Sequence, residues 1–182
     1  MAVCTLIAVA GGVALPVLAA RILAVEDAND TSGLLDVHEV RFRDPNGEPP
    51  SWTVITFNDW TARTLWDRGY VLVFLDTLGS QASDYYALVR ADADGLHATV
   101  WRDRAPARDR RLFSVPVRKR GGDGVEVSVP LRRLEVGRHR TLYRWSVMTL
   151  FNGGVCRRTC IDPAPDRSMV EQPLPSPSPS PN

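Results

Sequence analysis

The segment TLYRWSVMTL, at residues 141–150, alternates its side chains with a period of two. Tyr143, Trp145 and Val147 fall on one side of an extended chain, and further apolar residues fall on the other side. A period of two belongs to β-strands, whereas an amphipathic helix repeats every ~3.6 residues. The segment therefore predicts a strand rich in large apolar side chains near the end of the folded domain.

The same period recurs in the chain that precedes this segment. Glycine, aspartate and proline stand at the joints, as in DPNG at residues 44–47 and GGDG at residues 121–124. Helices are limited to a turn or two at residues 59–66 and 130–136. The even spacing predicts an all-β domain, either an antiparallel sandwich or a barrel. About eight short strands are expected, at residues 37–42, 51–57, 70–75, 85–91, 96–101, 112–117, 125–129 and 141–150.

The two ends of the chain differ from this domain in composition. Residues 1–20 form an uncharged, largely apolar run that ends in Ala19 and Ala20, which is typical of a secretory signal peptide cleaved at that point. Such a run is also long enough to span a bilayer, so an uncleaved anchor is the alternative. Residues 172–182 alternate proline and serine, which predicts a disordered tail. The sandwich is expected at residues 27–166, in a secreted protein.

The charge balance argues against one class of partner. The chain has 22 Lys and Arg residues against 21 Asp and Glu residues, for a formal net charge of +1 at pH 7. Nucleic-acid-binding domains carry a clear basic excess. No nucleic-acid partner is therefore expected, and contact with a membrane is expected only if the N-terminal segment remains uncleaved.

The cysteines are consistent with export. Cys4 lies in the predicted signal peptide, which leaves Cys156 and Cys160 in the mature chain. A cysteine pair in an exported protein most simply forms a disulfide. A metal site is the alternative, although neither a histidine nor a second cysteine pair stands close to these two residues.

Acidic and amide side chains cluster at three places in the sequence. One set precedes the first predicted strand, another includes Asp76 and Asp84, and a third follows the last predicted strand. Calcium takes six to eight oxygen ligands, and the two ends of a domain often lie close together. We therefore predict a Ca²⁺ site shared by the first and third sets, with ordinary turn chemistry as the alternative. The predicted ligands are Asp27, Asn29, Asp30, Asp36, Asp162 and Asp166.

The tryptophans fall into two groups. Trp52, Trp101 and Trp145 lie in predicted strands and are expected in the core. Trp60 and Trp66 lie in a segment without strand periodicity, so they are the candidates for exposed rings on which a sugar stacks.

The order of these features resembles the exported β-sandwich modules related to family 9 carbohydrate-binding modules and the DOMON domains. This resemblance covers residues 27–166 and implies a jelly-roll-like sandwich, structural calcium and, in some members, sugar binding. No matching pair of sugar-binding tryptophans is found. The resemblance rests on Asp27-x-x-Asp30-x-x-Gly33-x-x-Asp36-Val37, Leu75-Asp76-Thr77-x-Gly79 with Asp84-Tyr85, Trp145-Ser146-Val147, and Asp162-x-Ala164-Pro165-Asp166.

No residue pattern indicates a reaction. His38, His97 and His139 each stand alone, and the sequence contains no Gly-x-Ser-x-Gly motif. We therefore expect a secreted, non-catalytic sandwich that binds a glycan or a cell-surface ligand. The alternatives are a structural or interaction module of the cell envelope without a small ligand, and a glycoside hydrolase that uses two carboxylates.

Overall fold

Two antiparallel sheets enclose one apolar core in the computed structural model, which describes residues 21–45, 48–80 and 82–174. The all-β prediction is confirmed, with twelve strands in these ranges instead of about eight. The strands are β1 (Arg21–Glu26), β2 (Val37–Asp44), β3 (Ser51–Thr56), β4 (Gly69–Asp76), β5 (Tyr85–Asp92), β6 (Gly95–Arg102), β7 (Arg110–Val115), β8 (Val117–Arg120), β9 (Gly124–Ser128), β10 (Leu142–Asn152), β11 (Thr159–Ala164) and β12 (Val170–Pro173).

The strand order separates the chain into a five-stranded and a seven-stranded sheet. The first sheet has the order β1-β2-β3-β9-β8, and the second has the order β11-β10-β4-β5-β6-β7. Strand β12 also belongs to the second sheet, because it pairs with β10 beyond the end of β11. The chain leaves the second sheet after β7 and enters the first sheet at β8, with Pro116 between the two strands.

The alternation seen in the sequence decides which side chains form the core. Along β10, Tyr143, Trp145 and Val147 are buried, and the residues between them are partly exposed. Trp145 packs against Phe42 and Trp52 of the other sheet, with ring centroids 5.7 and 6.2 Å apart. The aromatic residues that the sequence placed on one side of the chain therefore hold the two sheets together.

One tryptophan expected in the core lies elsewhere. Trp101 follows the buried residue Val100, so its side chain points to the outer face of the seven-stranded sheet, where it is partly exposed. Placing Trp101 in the core was wrong, because the period of two along β6 directs Ala98 and Val100 inwards.

Four strands are absent from the sequence-based expectation, and two of them contain proline. Proline cannot donate to a strand ladder, which argues against a strand unless the segment lies at a sheet edge. Pro163 lies in β11 and Pro173 in β12, both of which pair with the outer side of β10. The helices are as short as expected, with α1 at Thr64–Asp67 and one 3-10 turn at Leu131–Arg133.

The limits of the folded domain extend beyond those expected at both ends. Strand β1 begins at Arg21 and pairs along its whole length with β2, so the sandwich starts before residue 27. Gln172 and Pro173 belong to β12, and the Leu174 N–H donates to the Thr141 carbonyl oxygen at 2.8 Å. The predicted signal peptide and the tail from residue 175 lie outside the described residues. Within the described ranges, no helix has the length and apolar character needed to cross a membrane.

Candidate metal centre

An irregular loop between β1 and β2 carries the first acidic set, and β11 carries the third. The loop spans residues 27–36, where the backbone forms no strand ladder. β11 belongs to the opposite sheet, yet the carboxylate of Asp162 accepts a hydrogen bond from the Val37 N–H at the start of β2. In the same region the Thr149 hydroxyl donates to the Leu35 carbonyl oxygen. These contacts between the two sheets bring the early loop to the end of the domain.

Three carboxylates converge at this point. Asp30, Asp36 and Asp162 each offer an oxygen, and these oxygens all lie within 4.8 Å of one another. Two oxygens bound to one Ca²⁺ ion at 2.3–2.6 Å lie at most about 5 Å apart. The spacing would therefore allow all three carboxylates to bind one cation.

The carboxylates at this centre are poorly neutralised by the protein. Asp36 and Asp162 are each 1% exposed, which removes the water that would normally screen their charges. Among the described atoms, Asp27 Oδ2, Asp36 Oδ1 and Asp162 Oδ1 are buried and accept no hydrogen bond. Buried carboxylates are destabilising unless a partner compensates them, so these three oxygens point to a missing positive charge.

Burial and mutual repulsion change the acidity of these groups. The pKa of Asp162 is raised to about 7 by burial first and then by the nearby carboxylates of Asp27, Asp36 and Asp30, and a hydrogen bond from the Val37 N–H acts in the opposite direction. Burial also raises the pKa of Asp27 to about 6, with the Asp166 carboxylate as the next cause. The pKa of Asp36 is raised by burial as well. Without a cation, the centre therefore tends to retain protons near neutral pH.

A disulfide supports the same loop. Cys156 and Cys160 are bonded, as predicted, and Cys160 lies two residues before Asp162. A Cβ atom placed on Gly33 would lie 3.0 Å from Cys160 Cβ and 3.5 Å from each of the two sulfur atoms. Because Gly33 has no side chain, the acidic loop can pack directly against the disulfide.

The predicted ligands differ in how the structure places them. Asp30, Asp36 and Asp162 form the centre, and Asp27 lies close enough to Asp162 to affect its pKa. The Asp166 carboxylate acts on Asp27 in the same way. Asn29 is an exposed residue of the loop, and its role as a ligand stays a prediction.

The second acidic set forms a separate structure. Asp84 Oδ2 accepts hydrogen bonds from the backbone N–H groups of Thr77 and Leu78, at 2.9 and 2.7 Å. Asp76 is fully buried, accepts from the Gly79 N–H at 2.6 Å and lies 3.0 Å from an Arg144 nitrogen. These carboxylates stabilise the turn between β4 and β5 instead of facing an open cleft.

The two tryptophans proposed for sugar binding have different surroundings. Trp60 is 5% exposed, its Nε1–H donates to the Asp123 carbonyl oxygen, and Lys119 Nζ lies 3.8 Å from its ring centroid. Trp60 therefore has no free ring face for a sugar, which corrects its assignment as a ligand-binding residue. Trp66, on α1, is 52% exposed and remains available.

Comparison with protein-family models, with curated proteins and with solved structures finds no match for this chain. The resemblance to family 9 carbohydrate-binding modules and DOMON domains therefore stays a prediction, and the centre has to be interpreted from its own geometry.

Proposed function

We propose that this protein is an exported, non-catalytic β-sandwich that is stabilised by one Ca²⁺ ion and binds a glycan or another cell-surface ligand. The observation that carries the proposal is the convergence of Asp30, Asp36 and Asp162 from opposite ends of the domain. A cation at this point would neutralise the buried carboxylates and tie the loop before β2 to β11.

The donor set favours calcium over other metals. All three converging groups are carboxylates, and the described residues add no histidine or cysteine to them. Hard oxygen donors suit Ca²⁺ or Mg²⁺, whereas zinc sites usually include nitrogen or sulfur. An irregular loop adapts to the flexible coordination of Ca²⁺ more readily than to the strict octahedron of Mg²⁺.

Export and a non-catalytic role are supported by separate observations. A disulfide persists mainly in oxidising compartments, which supports an extracellular location for the Cys156–Cys160 pair. The sequence singles out no pair among the candidate carboxylates Asp59, Asp76, Asp84 and Asp103. Two of these, Asp76 and Asp84, are held by backbone N–H groups and by Arg144. This occupation supports a non-catalytic role over glycoside hydrolysis, which needs two carboxylates facing a substrate cleft.

Thermal unfolding in chelator and in Ca²⁺ tests the metal part of the proposal. A ligand at about one hundred times its Kd stabilises a fold by about 2.7 kcal/mol, so Ca²⁺ should raise the Tm by roughly 5–10 °C. Asp30→Ala, at an exposed ligand, should abolish this response. Asp94→Ala, at an exposed turn residue outside the centre, should retain it. A wild-type Tm that is the same in chelator and in Ca²⁺ would refute the metal site.

A glycan array on the calcium-loaded protein tests the binding part. Trp66→Ala should reduce binding to any glycan detected, because Trp66 is the exposed member of the predicted pair. Trp60 substitutions are unsuitable for this test, because that ring is buried. An array without a hit would favour the alternative of an interaction module without a small ligand.

A further inference from the structure

A cavity lined by arginines lies where β6 and β7 are joined at one end of the sandwich, and we call it the arginine cavity. Its volume is about 480 Å³. Arg102 at the end of β6 and Arg110 at the start of β7 line it, together with Arg104 from the connecting loop. Asp103 and Ala107 complete the lining. The cavity therefore combines three guanidinium groups with a single carboxylate.

The two carboxylates of the connecting loop, at residues 103–109, are held by uncharged donors. The Ser83 hydroxyl donates to Asp103 Oδ2 at 2.8 Å, and the Tyr86 hydroxyl donates to Asp109 Oδ2 at 2.8 Å. Within the part of the chain that the structure describes, neither carboxylate forms an ion pair with an arginine. The acidic side chains thus hold the loop in place without forming a direct ion pair with any arginine of the cavity.

Two of the three guanidinium groups lack an anionic partner. Arg102 Nη2 lies 2.8 Å from Glu135 Oε2, so this arginine is paired. Arg104 and Arg110 are exposed, and they form no ion pair with any described residue. A guanidinium group offers five N–H donors in a fixed planar arrangement. The cavity therefore has two sets of charged donors available to a ligand.

The pairing of β6 with β7 gives an independent reason to expect an anion here. Arg102 and Arg110 are directly opposite partners in this ladder. Like charges directly opposite each other in a sheet are destabilising. Glu135 offsets the charge of Arg102, whereas no described carboxylate pairs with Arg110. An anion bound between Arg104 and Arg110 would replace this repulsion by attraction.

Charge and geometry favour a phosphate monoester over a carboxylate as this anion. A phosphate monoester carries a charge of about −1.5 to −2 at pH 7, which matches two unpaired guanidinium groups. It also has three acceptor oxygens, so two arginines are able to bind it at the same time through parallel N–H···O bonds. A carboxylate carries a single charge and would leave one of the two arginines without compensation.

Aromatic rings beside the loop favour a sugar as the carrier of the phosphate. Trp101 directly precedes Arg102 in β6 and is partly exposed. The Tyr86 and Trp101 ring centroids lie 6.4 Å apart, with an angle of 6° between the ring planes. Tyr86 also contacts the loop through its hydrogen bond to Asp109. A ligand that extends from the cavity on this side therefore meets two parallel aromatic rings, which suit the apolar face of a sugar ring.

We propose that the arginine cavity binds a phosphate monoester carried by a glycan, with Arg104 and Arg110 in contact with the phosphate. This inference rests on the proposed function, since it takes a glycan as the ligand. It adds the chemical class of that glycan and the residues that recognise it. None of the carboxylates of the metal centre takes part.

Isothermal titration of the full chain with glucose 6-phosphate, inorganic phosphate and glucose tests the proposal, in a buffer without free Ca²⁺. Glucose 6-phosphate should bind, inorganic phosphate should bind more weakly, and glucose should give no measurable binding. Arg104→Gln and Arg110→Gln should each weaken the binding of glucose 6-phosphate roughly tenfold or more, because each removes charge-assisted hydrogen bonds. Arg108→Gln is the matched control, since Arg108 is an exposed arginine of the same loop that does not line the cavity.

All three variants should keep the far-UV circular dichroism spectrum of the wild type, because the substituted side chains are exposed. A wild type that binds neither phosphate probe overturns the proposal. Equal weakening by Arg108→Gln also overturns it, because the general charge of the loop would then account for binding.

Failure of this inference is distinguishable from failure of the proposed function. Equal affinity for inorganic phosphate and glucose 6-phosphate would overturn the assignment of a glycan to the cavity. A glycan array whose hits all lack phosphate would overturn the inference and leave the proposed binding role intact. A Tm that is the same in chelator and in Ca²⁺ would refute the metal site and leave the phosphate titration unaffected.

Discussion

At the scale of single residues, Asp162 links the structure of the candidate centre to its chemistry. Its carboxylate is buried between two sheets and accepts a hydrogen bond from the Val37 N–H, and one of its oxygens lies within 4.8 Å of an oxygen of Asp30 and of Asp36. Without a metal, protonation of one carboxyl relieves the repulsion between the neighbouring carboxylates. A divalent cation would relieve the same repulsion while all of them stay ionised. A proton and a bound cation would therefore compete for the same carboxylates.

This competition predicts an unusual pH dependence for the metal-free protein. The pKa values of Asp162 and Asp27 are raised to about 7 and about 6, from about 3.9 in an unfolded chain. The folded state then holds protons that the unfolded state has lost, so its stability is highest near pH ~4 and falls as the pH rises towards ~7. Thermal unfolding in chelator should show the Tm falling across this range. Saturating Ca²⁺ should abolish this decrease in Tm. A Tm that rises with pH in the presence of chelator would contradict the predicted competition between protons and Ca²⁺.

At the scale of elements, the last two strands show why some strands could not be predicted from the sequence. β11 and β12 contain prolines, and only their edge positions beside β10 make those prolines tolerable. A single sequence does not reveal which strand is an edge, because that depends on the strand order. The same order carries Asp162 to the loop at residues 27–36, so the convergence was expected only from the general proximity of chain ends.

The pairing of β12 predicts where the C-terminal tail becomes dispensable. A chain ending at Leu174 should keep the Tm of the full protein, because the proline and serine residues beyond it offer little apolar surface to bury. A chain ending at Glu171 should lose about 2 kcal/mol, because it lacks the Leu174 hydrogen bond and the pairing of Gln172 with Tyr143. Differential scanning calorimetry of both truncations measures this. Equal stability of the two would show that β12 contributes nothing.

The disulfide is predicted to affect both stability and metal affinity. Replacing Cys156 and Cys160 together by serine should cost about 2 kcal/mol, the value expected for a short closed loop. It should also weaken Ca²⁺ binding, because Gly33 in the acidic loop packs against the two sulfurs. Calcium titration of the double variant measures the second effect. Unchanged affinity would show that the disulfide and the loop act independently.

At the scale of the whole molecule, the alternation of apolar side chains along the strands accounts for the sandwich. Function depends on the side chains that lie outside the core. The period of two placed Trp52 and Trp145 in the core, and the same period applied strictly to β6 places Trp101 on the outer face of the seven-stranded sheet. The burial of Trp60 beneath Lys119 could not be foreseen, because it depends on a contact between two segments far apart in the chain. One end of the sandwich thus brings three carboxylates together, and the outer face of the seven-stranded sheet carries partly exposed apolar side chains.

Isothermal titration of the metal-free full chain with Ca²⁺ at pH ~6.5 tests most directly whether one cation joins the two ends of the domain. In two buffers of different ionisation enthalpy, the titration gives both the stoichiometry and the protons released. We predict one Ca²⁺ per chain and a net release of protons, because the raised pKa of Asp162 leaves that carboxyl partly protonated at this pH. No binding, or binding without proton release, would contradict the assignment of the site to these carboxylates.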